Sequence, residues 1–303
     1  MSTTTVSPAA SPAASATAAG ASRRVRRRGR SSPLGRTVAH VLLILASLAA
    51  TAPVAWLFYL SLGPDKNDYL HPGGIAAKAT FANYAFVLQH TNIFHWLLST
   101  LIVALGTALV GVAFAATTGY AVSRMRFPGH RPLMWVLLLT QAFPIAVLIV
   151  PMYEIFSELG LIDTYGALIL VNCSTVVPYC AWLMKGYFDT VPVEIDEAGR
   201  VDGLSPFGTF VRLILPLARP GLAVAAFYSF ITAFGEVAFA STFLLDDDKY
   251  TFAVGLQTFV SEHDAQWNYM AATAVLIAVP VTAFFYLVQK HLVTGLTAGG
   301  TKG

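Results

Sequence analysis

Residues 197–220 read EAGRVDGLSPFGTFVRLILPLARP, the longest polar, charge-bearing insert in a chain that is otherwise strongly apolar. The insert separates two apolar runs, residues 166–184 and 221–245. Its local chemistry predicts two short helices joined by a turn. Just upstream, Pro192 suits a first helical turn, where its missing N–H is no loss. Gly203 can take the left-handed conformation that ends that helix. Ser205 offers an N-cap oxygen and Pro206 an N1 residue for the second helix. Phe207, Phe210, Val211 and Ile214 recur near helical spacing and are expected to bury one face. Leu215 followed by Pro216 is expected to stop the helix.

Composition sets the class around this insert. Of 303 residues, 56% are hydrophobic and only 12% are charged, and the mean hydropathy is +0.63. A soluble fold cannot hide that much apolar surface, so the expectation is an all-α, polytopic integral membrane protein. Cys173 and Cys180 lie seven residues apart in one apolar run, without CxxC spacing, and read as small buried side chains rather than a disulfide or metal pair. No G-x-x-x-x-G-K-[ST] loop occurs, so the chain is not expected to hold ATP itself. Nor does any Ser/His/Asp or Cys/His constellation mark a reaction site. The chain reads as no enzyme on its own.

In chain order, residues 1–22 are Ser, Thr, Ala and Pro without apolar periodicity, which predicts a disordered tail. Arg23, Arg24, Arg26, Arg27, Arg28, Arg30 and Arg36 follow, directly before an apolar run. That placement reads as a cytoplasmic anchor rather than a nucleic-acid site. Six spans are expected, at residues 38–62, 96–122, 133–156, 165–184, 221–245 and 269–292. Ala50-Thr51-Ala52 has the look of a cleavage site, but the apolar run continues past it and reads as a retained helix. With six spans, sixteen of the nineteen Lys and Arg fall on one side and only Lys66, Lys78 and Lys249 on the other. The positive-inside rule then makes both termini and the 197–220 insert cytoplasmic. The division is residues 1–37 as an arginine-rich tail, 38–292 as the membrane domain, and 293–303 as a glycine-rich tail.

Within the spans, Gly111, Ala115 and Gly119 form a small-residue ladder that permits close helix contact. Pro144, Pro151, Pro178 and Pro280 should kink their helices. Glu236 is the one acidic residue well inside a span, so it should face the bundle interior, a cavity or a neighbouring helix. It could line a substrate path, with the amides of Asn172 and Gln141 as polar companions suited to sugar hydroxyls, or simply bond a neighbouring helix. Outside, the triplet Asp246–Asp248 lacks a spaced calcium loop and reads as a solvated turn. Residues 250–260 (YTFAVGLQTFV) are apolar and placed outside by topology, which predicts a partner surface.

The 197–220 insert resembles the cytoplasmic loop of the membrane subunits of binding-protein-dependent ABC importers. The residues that carry the likeness are Glu197, Ala198, Asp202, Gly203, Leu215 and Pro216, with Gly199 replacing a usual Ala and Leu213 a usual Ile. Gly199 should loosen the first helix by roughly 1 kcal/mol relative to Ala. The resemblance implies that this loop, within residues 187–219, docks into a separate ATPase subunit, and that ATP and Mg are bound there rather than by this chain.

The end of the chain carries a second likeness. Residues 295–303 (GLTAGGTKG) and the outer stretch 250–255 (YTFAVG) resemble the second permease of maltose importers. The likeness covers about residues 38–303. It implies a type I ABC importer permease fold, with a second, MalF-type permease, a MalK-type ATPase dimer, an extracytoplasmic sugar-binding protein and the lipid bilayer as partners. It further implies that Gly299, Gly300 and Lys302 enter the ATPase interface. In the outer loop, residues 246–267, it implies that Gln257, Phe259 and Glu262 meet the binding protein. Another sugar such as trehalose, an ion-coupled transporter and a non-transporting assembly factor remain as rival readings.

Overall fold

The computed structural model describes residues 33–68, 70–126, 128–260 and 264–300. Among them there is no strand beyond the isolated bridge between Val260 and Ala265, and the fold is helical. Helix α1 is Pro33–Ser61. The part up to Pro53 is a unit of its own, and its side chains are exposed along every face. The second unit, residues 54–303, contains α2 (Ala82–His90), α3 (Ile93–Arg124), α4 (His130–Thr140), α5 (Ile145–Glu158) and α6 (Tyr165–Asp189). The insert supplies α7 (Glu194–Val201) and α8 (Pro206–Leu217). Then come α9 (Arg219–Phe234), α10 (Ala240–Phe243), α11 (Phe252–Gln257) and α12 (Trp267–Gly300).

Among the described residues, three helices are long and apolar enough to cross a membrane: Leu34–Ser61, Ile93–Arg124 and Tyr165–Asp189. The expected span 133–156 is instead two helices, α4 and α5, meeting at 97°. The break falls at residues 141–144, where Pro144 removes a donor and the helix restarts. Pro151, Pro178 and Pro280 sit within helices that continue through them. The expected span 221–245 is also interrupted, since α9 ends at Phe234 and only the single turn of α10 follows. Counting each bent pair as one span gives up to five, so the helices do not return the expected six as six unbroken rods.

The centre of the second unit is the α3–α6 contact. It forms because the facing surfaces are small. A Cβ on Gly119 would lie 2.9 Å from the Ala181 carbonyl oxygen and from the Lys185 backbone nitrogen, and one on Gly111 3.0 Å from Val176 Cγ2. The expected small-residue ladder is therefore where two backbones touch. At one end of this pair an apolar cluster joins Tyr120 of α3, Met184 and Phe188 of α6, and Phe210 and Ile214 of α8. At the other end Val103, Leu168, Phe239 and Phe243 form a second cluster.

Candidate functional site

The insert folds as two helices, as its capping residues require. Gly203 has φ +80 and ends α7. Ser205 Oγ accepts the Gly208 N–H at 3.1 Å, with Pro206 at the first turn of α8. Two expectations about α8 are overturned. Leu215–Pro216 does not stop it. Residues Phe210–Ile214 form a π turn, closed by the Leu215 N–H bonding to the Phe210 oxygen, and the helix runs on to Leu217. The wider turn lets Pro216 enter without a clash. Nor are all four apolar residues buried: Phe210 and Ile214 are, whereas Phe207 is 70% exposed and Val211 is half-exposed. A turn closed by an i→i+5 bond takes more residues, so positions four apart fall nearly in line. The buried stripe becomes Phe210, Ile214 and Ala218.

Helix α7 has a buried foot and an exposed face. Glu197, Ala198, Asp202 and Gly203 are exposed, as are Val201 and Phe207. Asp196 and Gly199 are buried. Asp196 Oδ2 lies 3.0 Å from Arg124 Nε at the last residue of α3, with only 4% and 9% of the two side chains exposed. Tyr120 donates its hydroxyl to Asp196 Oδ1 at 2.7 Å, and Arg124 donates to the Val191 carbonyl at 2.7 Å. Gly199 is a packing residue, since its Cβ would lie 2.8 Å from Thr209 Oγ1. Its absence of side chain lets α7 lie directly on α8, a packing role beside its effect on helix propensity. Sequence reading missed Asp196 and treated Arg124 only as a topological charge. The available signal was an acidic residue three before Gly199, on the same helical face.

The three polar residues of the spans do not converge on one cavity. Gln141 sits at the α4–α5 break and donates to the Thr175 carbonyl at 2.8 Å. It lines a cavity of about 760 Å³ between α3, α4, α5 and α6, beside Phe114, Phe143 and Met152. Asn172 is buried beneath this surface, and neither amide atom has a partner. Glu236 bonds neither a neighbouring helix nor that cavity. Its two oxygens accept the N–H groups of Phe239 at 2.7 Å and Ala240 at 3.0 Å. It thus caps the restart of the interrupted segment and offsets the loss of helical bonds there.

At the opposite end, the triplet Asp246–Asp248 is exposed but held. Asn92 donates to Asp247 at 2.8 Å and to Asp248 at 2.9 Å, and Trp96 Nε1 donates to the Asp247 carbonyl at 3.2 Å. Asp163, which has φ +61, receives the N–H groups of Leu245 and Asp246 and pairs with Lys249. Burial pushes the Asp163 carboxyl up, but Lys249 and the two N–H groups outweigh it and leave it below its ordinary value. Residues 250–260 are largely packed rather than displayed. Phe259 is buried against Trp96, ring centroids 6.4 Å apart, and Tyr269. A Cβ on Gly255 would fall 2.3 Å from the Trp96 indole. Phe259 is therefore core and not a contact residue, while Gln257 is exposed. Glu262 and Lys302 lie outside the described residues; Gly299 and Gly300 fall in the last turn of α12 rather than in a loose tail.

The class of this helical, strongly apolar chain comes from comparison with known proteins. Residues 108–297 match the family described as binding-protein-dependent transport system inner membrane component, and the chain belongs to that family. It is 37% identical over 225 residues to the maltodextrin transport system permease protein MdxG of Bacillus subtilis, covering 74% of this chain and 81% of that one. It is 35% identical over 291 residues to the maltose/maltodextrin transport system permease protein MalG of Salmonella typhimurium, covering 90% and 98%. Among solved structures, a bacterial ABC transporter that imports the acidic polysaccharide alginate superposes with a TM-score of 0.69 at 22% identity, over 86% of this chain and 98% of that one. The MetNI methionine ABC transporter superposes with a TM-score of 0.54 at 16% identity, over 71% and 99%. Both share the importer permease fold.

Proposed function

We propose that this chain is one of two membrane subunits of an ATP-driven importer for maltose or maltodextrins. The sugar class is supported by relatives at 35–37% identity over most of the chain. The observation that carries the coupling role is the asymmetry of the α7–α8 loop: α7 is buried on Asp196 and Gly199, while Glu197 and Ala198 on α7, Asp202 at its end and Phe207 on α8 stand exposed. A surface so displayed needs a partner, and a MalK-type ATPase dimer carrying ATP and Mg is the partner this reading assigns. Leu215 and Pro216 shape the hinge behind that surface.

The rest of the assembly follows from the same reading. On this reading the chain crosses the membrane six times, with both termini and the α7–α8 loop in the cytoplasm, as the lysine and arginine split would require. A MalF-type permease completes the path, and Gln141, which lines the cavity between α3, α4, α5 and α6, is this chain's polar group along it. Gly299, Gly300 and Lys302 reach the ATPase interface, while Gln257 and Glu262 face the extracytoplasmic sugar-binding protein. ATP closes the ATPase pair, the docked loop moves with it, and the helices exchange inward-open for outward-open. That exchange needs differential binding free energy between the two states, which ATP and the loaded binding protein supply.

The test is the complex reconstituted in lipid with its binding protein and a panel of sugars. Maltodextrins should stimulate ATP hydrolysis and enter the vesicles. Stimulation by trehalose alone overturns the sugar assignment. Import that collapses with the proton gradient at constant ATP overturns the ATP-driven mechanism.

A further inference from the structure

Resting on the docking role of α7, we infer that Tyr120, Arg124 and Asp196 form a transmission clasp, through which movement of the docked loop is passed directly to α3. The chain itself does not join them. The loop is continuous with α6 before it and with α9 after it, whereas α3 ends some seventy residues earlier in sequence, at Arg124. Yet α3 packs against both α6 and α9, so it is the helix whose displacement rearranges the others.

The clasp is built to prevent slip. The two oxygens of the Asp196 carboxylate meet residues one turn apart on the same face of α3: Oδ1 accepts the Tyr120 hydroxyl, and Oδ2 lies 3.0 Å from Arg124 Nε in an ion pair without an aligned hydrogen bond. The same planar guanidinium reaches the Val191 carbonyl, so one side chain holds both α7 and the strand of chain leading into it. The Tyr120 ring also lies on Phe210 of α8, with centroids 4.6 Å apart, and edge-on to Phe188 of α6. Helix α7 cannot turn or slide against the end of α3 without pulling a charged pair apart in a site closed to water, and such a separation is strongly unfavourable. Loop and helix therefore move as one. The nearby contacts of Asp189 with Lys185 and Ser123 are exposed and give way far more readily.

The three side chains act through the contact between α3 and the loop; they are positioning residues. The experiment is performed on the whole reconstituted complex. It measures sugar imported per ATP hydrolysed, together with the amount of ATPase that co-purifies. Tyr120→Phe removes only the hydroxyl bond and keeps the ring on Phe210. It should co-purify with the ATPase at normal yield and still lower import per ATP. Asp196→Asn should lower that ratio by at least about tenfold, the order expected on losing a bond to a charged group. Arg124→Lys keeps the charge but cannot hold both Asp196 and Val191, and should fall between. A purely structural strut would lower yield and import together and leave the ratio unchanged; that result in Tyr120→Phe overturns the inference even if Asp196→Asn fails to assemble. The docking reading has its own control in Glu197→Lys. If that variant keeps the ATPase and transports normally, the docking assignment has failed, whatever the clasp variants do.

Discussion

Gly119→Ala is the sharpest test of how the helices are held. The added methyl carbon would sit 2.9 Å from the Ala181 oxygen and the Lys185 nitrogen. Ordinary carbon–oxygen contacts between neighbouring backbones run at about 3.3 Å or more, so α3 and α6 must part by roughly 0.4 Å. Both obstructing atoms are backbone within a helix, and neither can rotate aside. A gap of that order weakens the dispersion contacts along the whole seam. Overpacking of this kind costs about 1–3 kcal/mol, offset by about 1 kcal/mol of better helix propensity. Gly111→Ala meets Val176 Cγ2 at 3.0 Å, with Cys173 Sγ and Ser229 Oγ at an ordinary 3.8 Å, and a valine methyl can yield. Gly186→Ala meets nothing within 4 Å and should be neutral or stabilising. The assay is the denaturation midpoint of the purified complex in one detergent, with the order Gly186→Ala highest, Gly111→Ala next and Gly119→Ala lowest. If Gly119→Ala matches Gly186→Ala, the close α3–α6 approach is wrong.

Other outcomes follow from the same geometry. Glu197→Lys should leave the chain in the membrane but reduce transport at least about tenfold, since truncating one member of a desolvated interfacial pair costs roughly 2–5 kcal/mol; normal transport removes the docking assignment. Glu236→Gln keeps one acceptor for the Phe239 N–H and should still assemble, with lowered import if the residue also lines the path; loss of assembly would reduce it to a cap. For Asp163, a depressed folded value means that its contribution is complete above the unfolded value, about 3.9, and is lost as pH falls through the lower folded value. Amide protection at Leu245 and Asp246 should therefore be unchanged between pH 7 and 5. Loss of protection already at pH 5 contradicts the Lys249 pairing. A cysteine at position 205 should resist labelling from outside intact cells while one at 247 reacts, and the reverse pattern ends the orientation argument.

What could be read from the sequence was what short-range chemistry decides. Gly203, Ser205 and Pro206 act within one turn of themselves, so their roles in α7 and α8 were visible without the fold. The Gly111–Gly119 ladder was visible because size alone permits close approach. The π turn was not, because a 3.6-residue period has no place for an extra residue, and the burial assigned to Phe207 and Val211 failed with it. Phe259 looked displayed because topology put its segment outside; the Trp96 ring beneath it comes from a helix more than one hundred and fifty residues earlier. Asp196 was one more charge in a charged loop. Only the return of α3 to that place makes it a buried anchor. Glu236 was correctly marked as needing a partner, and the partner proved to be its own backbone.

The junction between α8 and α9 has a consequence for how this protein can vary. One residue, Ala218, separates the two helices, which meet at 83°. Surface connections usually absorb inserted residues freely. Here no connection exists to absorb them. Adding a single residue after Leu217 would turn all of α9 by about 100° and advance it by about 1.5 Å, carrying Ala225, Ser229 and Ala233 out of the contacts that bury them. The segment from Ser205 to Phe234 should therefore keep a fixed length wherever this fold is used.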